Sequence, residues 1–362
     1  MEKYKKILVV AAMALTLVGV FVLHVALPDG DVSDAERRPL AQLPELTWDD
    51  VFSGDYFDDL EEYLLDQFPL REGFRRLKAN FQYKVLGLKA NNGIYVVGDH
   101  LSKLDYPFQE SQTQLAADKF NSILSSHPQI GNAYFSLIPD KNYFLAAANG
   151  YPAMDYDALL AQAEKVNASY IDIFPLLSVD DYYYTDSHWR QEKIVDVAQK
   201  LAAGMGTVAD GMDAYTAESR ENFRGVYHGQ SALNLPGETL TILKSRVTDS
   251  AVVKSQEHTA AMPVYNWAEF DNTDPYDVYL SGAEALITME NPLQDNGRHL
   301  ILFRDSFGSS ISPLLLSGYS KVTVVDIRYM ASALLDQYVD FTDADVLFLY
   351  CTSMFNSGSA LR

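Results

Sequence analysis

The chain has 362 residues, is 48% hydrophobic and carries a formal net charge of −21 at pH 7, which allows one large or two medium domains with their own cores. The first 27 residues hold three lysines and one glutamate, which leaves 25 of the 28 basic and 48 of the 49 acidic side chains for the remainder; that balance disfavours binding to nucleic acid and to anionic lipid. The single cysteine, Cys351, excludes an intramolecular disulfide.

The N-terminus predicts a membrane span. "MEKYKK" places three lysines before residues 7–27, an uncharged run of 21 residues. A helix of that length crosses about 30 Å of hydrocarbon, and its basic end stays in the cytoplasm. A cleaved signal peptide is the alternative, but the run is long for one and no clear A-x-A site follows it. We therefore expect residues 1–27 to form a cytoplasmic tip and an uncleaved, single-pass transmembrane anchor, with the main domain extracytoplasmic.

Residues 28–92 are predicted to form a linker and juxtamembrane helices. The polar, proline-marked stretch 28–46 leads away from the span. Residues 47–88 carry the pattern of two amphipathic helices, broken at Pro69. The acidic residues clustered between Asp49 and Asp66 indicate a solvated helix face.

Residues 93–362 are predicted to form the main domain. "NNGIYVVGDHLSKL", which starts at Asn91, has the pattern of a hairpin, and residues 207–290 are irregular and strand-rich. Elsewhere, helices are predicted at 111–126, 155–166, 188–204, 308–316 and 329–338, and strands at 132–141, 169–174, 299–303, 321–327 and 345–350. Apolar strands that alternate with helices predict an α/β fold with a mostly parallel sheet flanked by helices.

The segment "YYYTDSHWRQEK", residues 182–193, permits two interpretations. In one, a helix begins near His188, and Asp186 or Thr185 caps it. In the other, His188 is a base whose tautomer Asp186 fixes, and it serves Ser306, which follows the strand 299–303 at a sharp turn into a helix. There the Ser306 hydroxyl projects above the sheet edge, and its amide is placed to stabilise an oxyanion. The residues alone do not decide between the two interpretations.

Several short segments together resemble the DHHW family and its relatives among the alginate O-acetylation proteins. They are YYYTDSHW, FRDSFG, YSKVTVVDIRYM, DQFPLRE, NNGIYVVGDHLSKL, LIPDKNYF and FRGVYHG, and they lie within residues 45–350. The resemblance implies an SGNH-hydrolase-like fold with permuted sequence blocks, in which Asp186 and His188 take the acid–base roles and Ser306 is the nucleophile. Ser187 stands where the family name implies a second histidine.

The resemblance defines the oxyanion hole only in part. SGNH hydrolases usually add a glycine amide and an asparagine side chain to the amide of the nucleophile. The permuted position of that asparagine falls near Cys351, Thr352 and Asn356, and the sequence does not choose among these three. The Ser306 amide is the one oxyanion donor that the sequence identifies.

The sequence predicts neither a metal site nor a dissociable cofactor. Asp186 and His188 lack a third ligand. The remaining histidines considered lack the mutual spacing of metal ligands: His100, His127, His228, His258 and His299.

Other polar and aromatic side chains near the predicted site fit structural roles. Cys351 is predicted to be a small buried hydrophobe rather than a nucleophile. Arg304 and Asp305 are predicted to support the turn that holds Ser306. Four aromatic residues either belong to the core or face sugar rings: Tyr182, Tyr183, Tyr184 and Trp189.

The resemblance and the motifs predict a membrane-anchored, extracytoplasmic serine acyltransferase that acts in O-acetylation of a cell-surface polysaccharide. By the family's pattern, a membrane-bound O-acyltransferase protein would supply the acyl group. A carbohydrate acetylesterase of the same fold is one alternative, and a non-catalytic polysaccharide-binding or assembly protein is another. The acidic exterior favours a neutral or zwitterionic glycan over a polyanion.

Overall fold

The computed structural model describes residues 2–258 and 260–362. Met1, in the predicted cytoplasmic tip, and Thr259, in the predicted strand-rich segment, lie outside the described residues. The chain forms two compact units, one of Met1–Asn91 with Gly229–Asn234 and one of Asn92–His228 with Leu235–Arg362. The domain boundaries drawn after residues 27 and 92 and around 207–290 remain predictions.

The first unit begins with α1, Glu2–Ala26, a helix long and apolar enough to cross a membrane. Its other elements are β1 (Val32–Ser33), β2 (Arg38–Pro39), α2 (Trp48–Ser53), α3 (Asp55–Asp66), α4 (Arg71–Asn80), a π-helical turn (Phe81–Val85) and β3 (Ala90–Asn91). The prediction of two helices broken at Pro69 is wrong in number. Gly54, at φ +98°, ends α2 before α3 begins, so there are three.

The second unit contains most of the strands. They are β4 (Ile94–Val97), β5 (His100–Lys103), β6 (Asn132–Ile138), β7 (Ser169–Tyr170), β8 (Thr216–Phe223), β9 (Glu238–Lys244), β10 (Val252–Ser255), β11 (Leu286–Glu290), β12 (His299–Arg304), β13 (Lys321–Val325) and β14 (Asp345–Cys351). β4 pairs with β5 and β8 pairs with β9, both antiparallel. The β4–β5 pair is the hairpin predicted from the sequence.

Short helices connect these strands. The α-helices are α5 (Glu110–Ser126), α6 (Lys141–Leu145), α7 (Tyr156–Ala163), α8 (Val195–Gly204), α9 (Val226–Ser231), α10 (Arg246–Ser250), α11 (Gly308–Leu315) and α12 (Thr352–Phe355). The 3₁₀ turns are Ala147–Asn149, Phe174–Leu176, Val179–Asp181, Gln191–Lys193, Met212–Ala214, Trp267–Asp271, Pro275–Val278, Leu316–Gly318, Ser332–Gln337 and Gly358–Ala360.

Seven strands form one sheet in the order β10-β11-β13-β12-β14-β6-β7. The strands from β13 to β7 run parallel, and β11 and β10 extend the sheet as antiparallel strands. Along β12, Leu300 and Leu302 face one core with α8 and α11, whereas Ile301 and Phe303 face a second core with α5 and α7. Both faces are therefore covered, as the apolar strands require. The predicted α/β fold with a mostly parallel sheet is confirmed.

The helix predicted from residue 188 starts later. α8 begins at Val195. The segment before it folds back on itself, because Tyr182 forms a β-bridge with Trp189 and the Tyr183 amide donates to the His188 carbonyl at 3.0 Å. The strand predicted at 169–174 is reduced to β7, and the helix predicted at 329–338 to a 3₁₀ turn.

Candidate active site

Residues at or just after the ends of three neighbouring parallel strands lie at one edge of the sheet. β12 is followed by Ser306, β14 ends at Cys351, and β6 is followed by Asp140 and Lys141. β12 pairs with β14, and β14 pairs with β6, all in the same direction. These residues therefore lie past the carboxyl ends of the strands, where α/β proteins build their sites.

Ser306, His188 and Asp186 form a continuous hydrogen-bonded chain. Asp186 Oδ1 lies 2.6 Å from His188 Nδ1, and His188 Nε2 lies 2.7 Å from Ser306 Oγ. An ionised carboxylate only accepts, so Nδ1 donates to Asp186, and Nε2 is left to accept from the Ser306 hydroxyl. Ser306 is half-buried. The structure thus brings together the three predicted residues, although 118 positions separate the histidine from the serine.

The Asp186 carboxylate bonds its own loop and the start of α9, not α8. Oδ1 also accepts from the His188 backbone amide at 3.0 Å, and Oδ2 accepts from the Val226 amide at 2.8 Å. The N-cap position of α8 is Ile194, which makes no side-chain cap bond. The Thr185 hydroxyl donates to a Glu238 oxygen at 2.6 Å. The interpretation of Asp186 or Thr185 as a cap of that helix is wrong.

Gly225 lets the backbone approach Asp186 closely. A Cβ at position 225 would lie 2.3 Å from the Asp186 Cβ and 2.5 Å from the Thr185 carbonyl oxygen. Those atoms belong to the loop itself and cannot yield without moving it. The glycine of "FRGVYHG" therefore allows the Val226 amide to reach Asp186, a role that the sequence did not reveal.

Aromatic rings enclose the His188 imidazole. Tyr276 stacks on it, with ring centroids 3.8 Å apart and an interplanar angle of 8°, and Phe307 lies tilted at 4.8 Å. The Tyr276 hydroxyl donates to Ser310 Oγ at 2.8 Å, and Trp189 Nε1 donates to the same atom at 2.9 Å. These contacts fix the imidazole plane. Sequence analysis missed Tyr276, which lies in a 3₁₀ turn of the irregular segment with no motif around it.

Asp305 holds the turn that carries Ser306. Its Oδ1 accepts from the Phe307 amide at 3.0 Å and its Oδ2 from the Cys351 amide at 2.7 Å, so it ties the end of β12 to the end of β14. Burial raises the pKa of Asp305. Arg304 is fully buried, and its guanidinium lies 3.4 Å from a carboxylate oxygen of Asp326. These contacts fit the supporting role predicted for Arg304 and Asp305.

The Ser306 amide is available as an oxyanion donor. Within residues 2–258 and 260–362, no backbone acceptor engages it. The side chains of the three candidates for a further donor are already engaged: the Cys351 sulfur accepts from the Ser353 hydroxyl, the Thr352 hydroxyl donates to Asp140, and the Asn356 amide donates to the Pro107 carbonyl. Thr352 and Asn356 are also fully buried. These side chains therefore brace the carboxyl edge of the sheet.

Lys141 supports the loop that carries Asp186. Its ammonium donates to the carbonyls of Tyr183 at 2.8 Å, Tyr184 at 3.1 Å and Asp186 at 3.1 Å. Burial lowers its pKa from 10.5 to about 7, and the charges of Glu238 and Asp186 oppose that shift. A lysine ammonium has three donors, and all three are used here. "LIPDKNYF" contains this lysine, but the sequence assigned it no role.

Replacing Lys141 with methionine should remove a pH dependence of stability. Below the native pKa of about 7, Lys141 is protonated in both the native and the unfolded chain, and the native chain is destabilised by the full cost of burying the charged ammonium. Between about 7 and 10.5, the unfolded chain binds it more strongly, so wild-type stability rises with pH, by at most about 1.4 kcal/mol per pH unit. Between pH 7 and about 9, below the range in which the tyrosines of the unfolded chain ionise, melting temperatures should therefore change more favourably with pH for wild type and for the exposed control Lys200→Met than for Lys141→Met. If the melting temperature of Lys141→Met changed with pH just as that of wild type does, Lys141 would not be the source of this pH dependence.

Of the four aromatic residues near the site, three belong to the core. Tyr182, Tyr183 and Trp189 are fully buried, whereas Tyr184 is 38% exposed. Tyr184 borders a cavity of about 480 Å³, together with Val96, Gly98, Asp99, Thr185, Arg190, Leu235, Pro236, Gly237, Glu238 and Thr239. This cavity adjoins the Asp186 loop and combines an aromatic ring with polar groups, a lining that suits a sugar.

The residues considered for metal or thiol chemistry are dispersed or buried. No group of three or more potential metal ligands occurs within the described parts of the chain. Cys351 is buried, as predicted, and burial raises the pKa of its thiol well above the ordinary value. A thiol of that kind is a poor nucleophile.

A covered parallel sheet with a serine–histidine–aspartate chain at its carboxyl edge places this protein among α/β proteins with a serine-centred site. No protein-family model matches the sequence, and no curated protein sequence matches it. A solved DHHW family protein from Eubacterium siraeum is similar, with 20% identity, a TM-score of 0.60 and coverage of 75% of this chain and 94% of that one. PatB1 from Bacillus cereus, solved with a sulfonyl adduct, has 20% identity, a TM-score of 0.56 and coverage of 72% and 97%.

A looser likeness is to the O-acetyltransferase domain of Pseudomonas putida AlgJ, with 12% identity and a TM-score of 0.42 over 73% of this chain and 92% of that domain. At 20% identity, the similarity to the Eubacterium siraeum and Bacillus cereus structures shows the fold alone. The similarity to the DHHW family protein from Eubacterium siraeum confirms the fold that the sequence resemblance implied.

Proposed function

We propose that this protein is a membrane-anchored, extracytoplasmic serine acyltransferase that acts in O-acetylation of a cell-surface polysaccharide. The observation that carries the proposal is the chain from Ser306 Oγ through His188 to Asp186, with contacts of 2.7 and 2.6 Å. Such a chain activates a serine, because the histidine takes the hydroxyl proton while the carboxylate stabilises the imidazolium that forms.

In the proposed reaction, Ser306 Oγ attacks the acetyl carbonyl carbon and passes its proton to His188 Nε2. The carbonyl oxygen becomes negative and accepts a hydrogen bond from the Ser306 amide. When the carbonyl re-forms, the leaving oxygen of the donor departs with the proton from His188, and the acetyl group stays on Ser306 as an ester. A sugar hydroxyl then attacks this ester and gives its proton to His188, which returns it to Ser306 as the acetylated sugar leaves.

The structural likeness to PatB1 supports a nucleophilic role for Ser306. PatB1 has been solved with a sulfonyl adduct. Sulfonyl halides form stable esters with activated serine hydroxyls, so Ser306 of this chain should also accept a sulfonyl group. A covalent probe of the site is therefore at hand.

The anchor and the acyl donor complete the proposal. α1 would hold the protein in the membrane as a single pass, with the main domain outside. Acetyl-CoA is cytoplasmic, so a membrane-bound O-acyltransferase protein would bring the acetyl group across the bilayer. Neither step requires a dissociable cofactor on this chain.

The acceptor should be a neutral or zwitterionic glycan. The charge of −23 outside the first 27 residues repels a dense polyanion, and salt screens this only beyond about 10 Å. The arginines near the site are paired with carboxylates, Arg190 with Glu238 at 3.1 Å, and Arg304 and Arg328 with Asp326 at 3.4 and 2.6 Å. They do not present a free basic groove.

Acetyl transfer from a chromogenic acetyl ester to a panel of neutral, zwitterionic and uronic-acid oligosaccharides tests both the function and the acceptor. We expect acetylated neutral or zwitterionic sugars from the wild type and none from Ser306→Ala. Ester hydrolysis without transfer to any sugar would make the protein an esterase. A preference for uronic acids would contradict the charge argument, and equal rates for wild type and Ser306→Ala would contradict the catalytic role.

A further inference from the structure

An apolar stripe runs along the exposed side of two juxtamembrane helices. It consists of Phe57, Leu64 and Phe68 on and just after α3, and Leu77, Phe74 and Phe81 on and just after α4, each between 37% and 65% exposed. Successive members of each group are three, four or seven positions apart, so they share one helix face. In a soluble protein the apolar face of a helix normally packs against the core, whereas here it is exposed.

The two halves of the stripe are joined. The Phe68 and Phe74 rings meet edge to face with centroids 5.6 Å apart. Away from the stripe, Tyr63 of α3 and Ala79 of α4 are buried. Large apolar side chains that are exposed and adjacent in this way are typical of a contact with a partner or with lipid.

Hydrogen bonds fix α3 beside the outer end of α1. The Tyr63 hydroxyl lies 3.1 Å from Asp29 Oδ2, and its ring meets His24 at 5.5 Å. The Gln67 side chain donates to the Gly30 carbonyl and accepts from the Gly30 amide, both at 2.9 Å. α1 ends at Ala26, so Asp29 and Gly30 follow it directly in the chain. These bonds therefore hold α3 next to the point where the chain leaves the predicted span.

Charge near the stripe suits a lipid surface. Lys78 and Lys84 are exposed around the α4 half of the stripe. Long basic side chains at an interface keep their charge in the headgroup region while their stems lie along apolar groups. Phenylalanine and leucine at the same level are stabilised when their apolar surface leaves water.

We propose that α3, α4 and the π-helical turn lie on the outer face of the lipid bilayer, with the apolar stripe in contact with lipid. Side chains of α3 and of Gln67 contact the end of α1 and the residues just after it, and this closeness to the predicted span supplies the reason to choose lipid as the occupant. The proposal rests on α1 being retained as the anchor of the proposed function. It gives the first unit a second membrane contact, beside the single span.

Site-directed spin labelling of the full chain in phosphatidylcholine nanodiscs tests this contact. Labels go on Leu64→Cys and Leu77→Cys in the stripe, with Asp59→Cys and Arg76→Cys as matched exposed controls that point away from it. The native Cys351 is buried, and the unsubstituted chain measures any background label. Power saturation with oxygen, which partitions into lipid, and with a water-soluble nickel complex reports the surroundings of each label.

We expect the ratio of oxygen to nickel accessibility to be several-fold higher at positions 64 and 77 than at 59 and 76. Nickel accessibility as high at 64 and 77 as at the controls would overturn the proposal, since the stripe would then face water. Protection from both reagents would also overturn it, because another protein or a second copy of this chain would then cover the stripe. Ester hydrolysis by the same preparations reports the proposed function separately.

Discussion

Replacing Ser306 with alanine should lower the rate of acetyl transfer by a factor of about 10⁴ or more. The variant keeps His188 and Asp186 but has no oxygen to form the acetyl ester, so only binding and the backbone amide remain to assist direct attack. Steady-state hydrolysis of a chromogenic acetyl ester measures the loss in kcat. Intact mass after treatment with a sulfonyl fluoride should show one added sulfonyl group on the wild type and none on the variant.

Ser309→Ala is the matched control, because Ser309 is a buried serine in the helix that follows the same turn. It should retain wild-type activity and still take one sulfonyl group. If Ser306→Ala kept more than a tenth of the wild-type kcat, Ser306 would not be the nucleophile, and another group would have to carry the hydrolysis.

The architecture of the sheet could be predicted because its strands carry a strong local pattern. β12 and β14 are apolar along their interiors, and only a strand covered on both faces tolerates that. Helices with apolar residues at helical spacing alternate with them, so the fold class followed. The antiparallel β10 and β11 were not placed in the sheet, since pairing partners distant in sequence leave no periodic trace.

The candidate site could be predicted at the three residues that form the hydrogen-bonded chain. Ser306 stands at a strand-to-helix turn, and Asp186 and His188 occupy a short motif, so both positions could be recognised locally. The start of α8 was misjudged at the same motif. The helical spacing of apolar residues from Ile194 onwards was wrongly taken to begin near His188. The β-bridge between Tyr182 and Trp189 instead holds the residues between them in a turn.

The supporting residues were not predictable, because each acts across the fold. Tyr276 stacks on His188 from a segment with no motif, and Lys141 reaches three carbonyls of a loop far along the chain. Gly225 matters because of an atom-to-atom approach to Asp186 that only coordinates reveal. For α3, the pattern predicted an amphipathic helix and a solvated acidic face, but not that Phe57 and Leu64 would also stay exposed.

Replacing Asp186 with asparagine should lower kcat by a factor of about 10³–10⁴ with the fold intact. The asparagine side chain can offer an N–H to His188 Nδ1, which then becomes the acceptor and moves the ring proton to Nε2. A protonated Nε2 cannot take the Ser306 proton, so the serine loses its base although the distances hardly change. Thermal unfolding should show a cooperatively folded but somewhat less stable protein, because the same side-chain amide then faces the His188 backbone N–H, which loses its acceptor. The exposed control Asp180→Asn should retain full activity. The result that would contradict this role is an Asp186→Asn enzyme with near-normal kcat, which would show that the working tautomer of His188 does not depend on the Asp186 carboxylate.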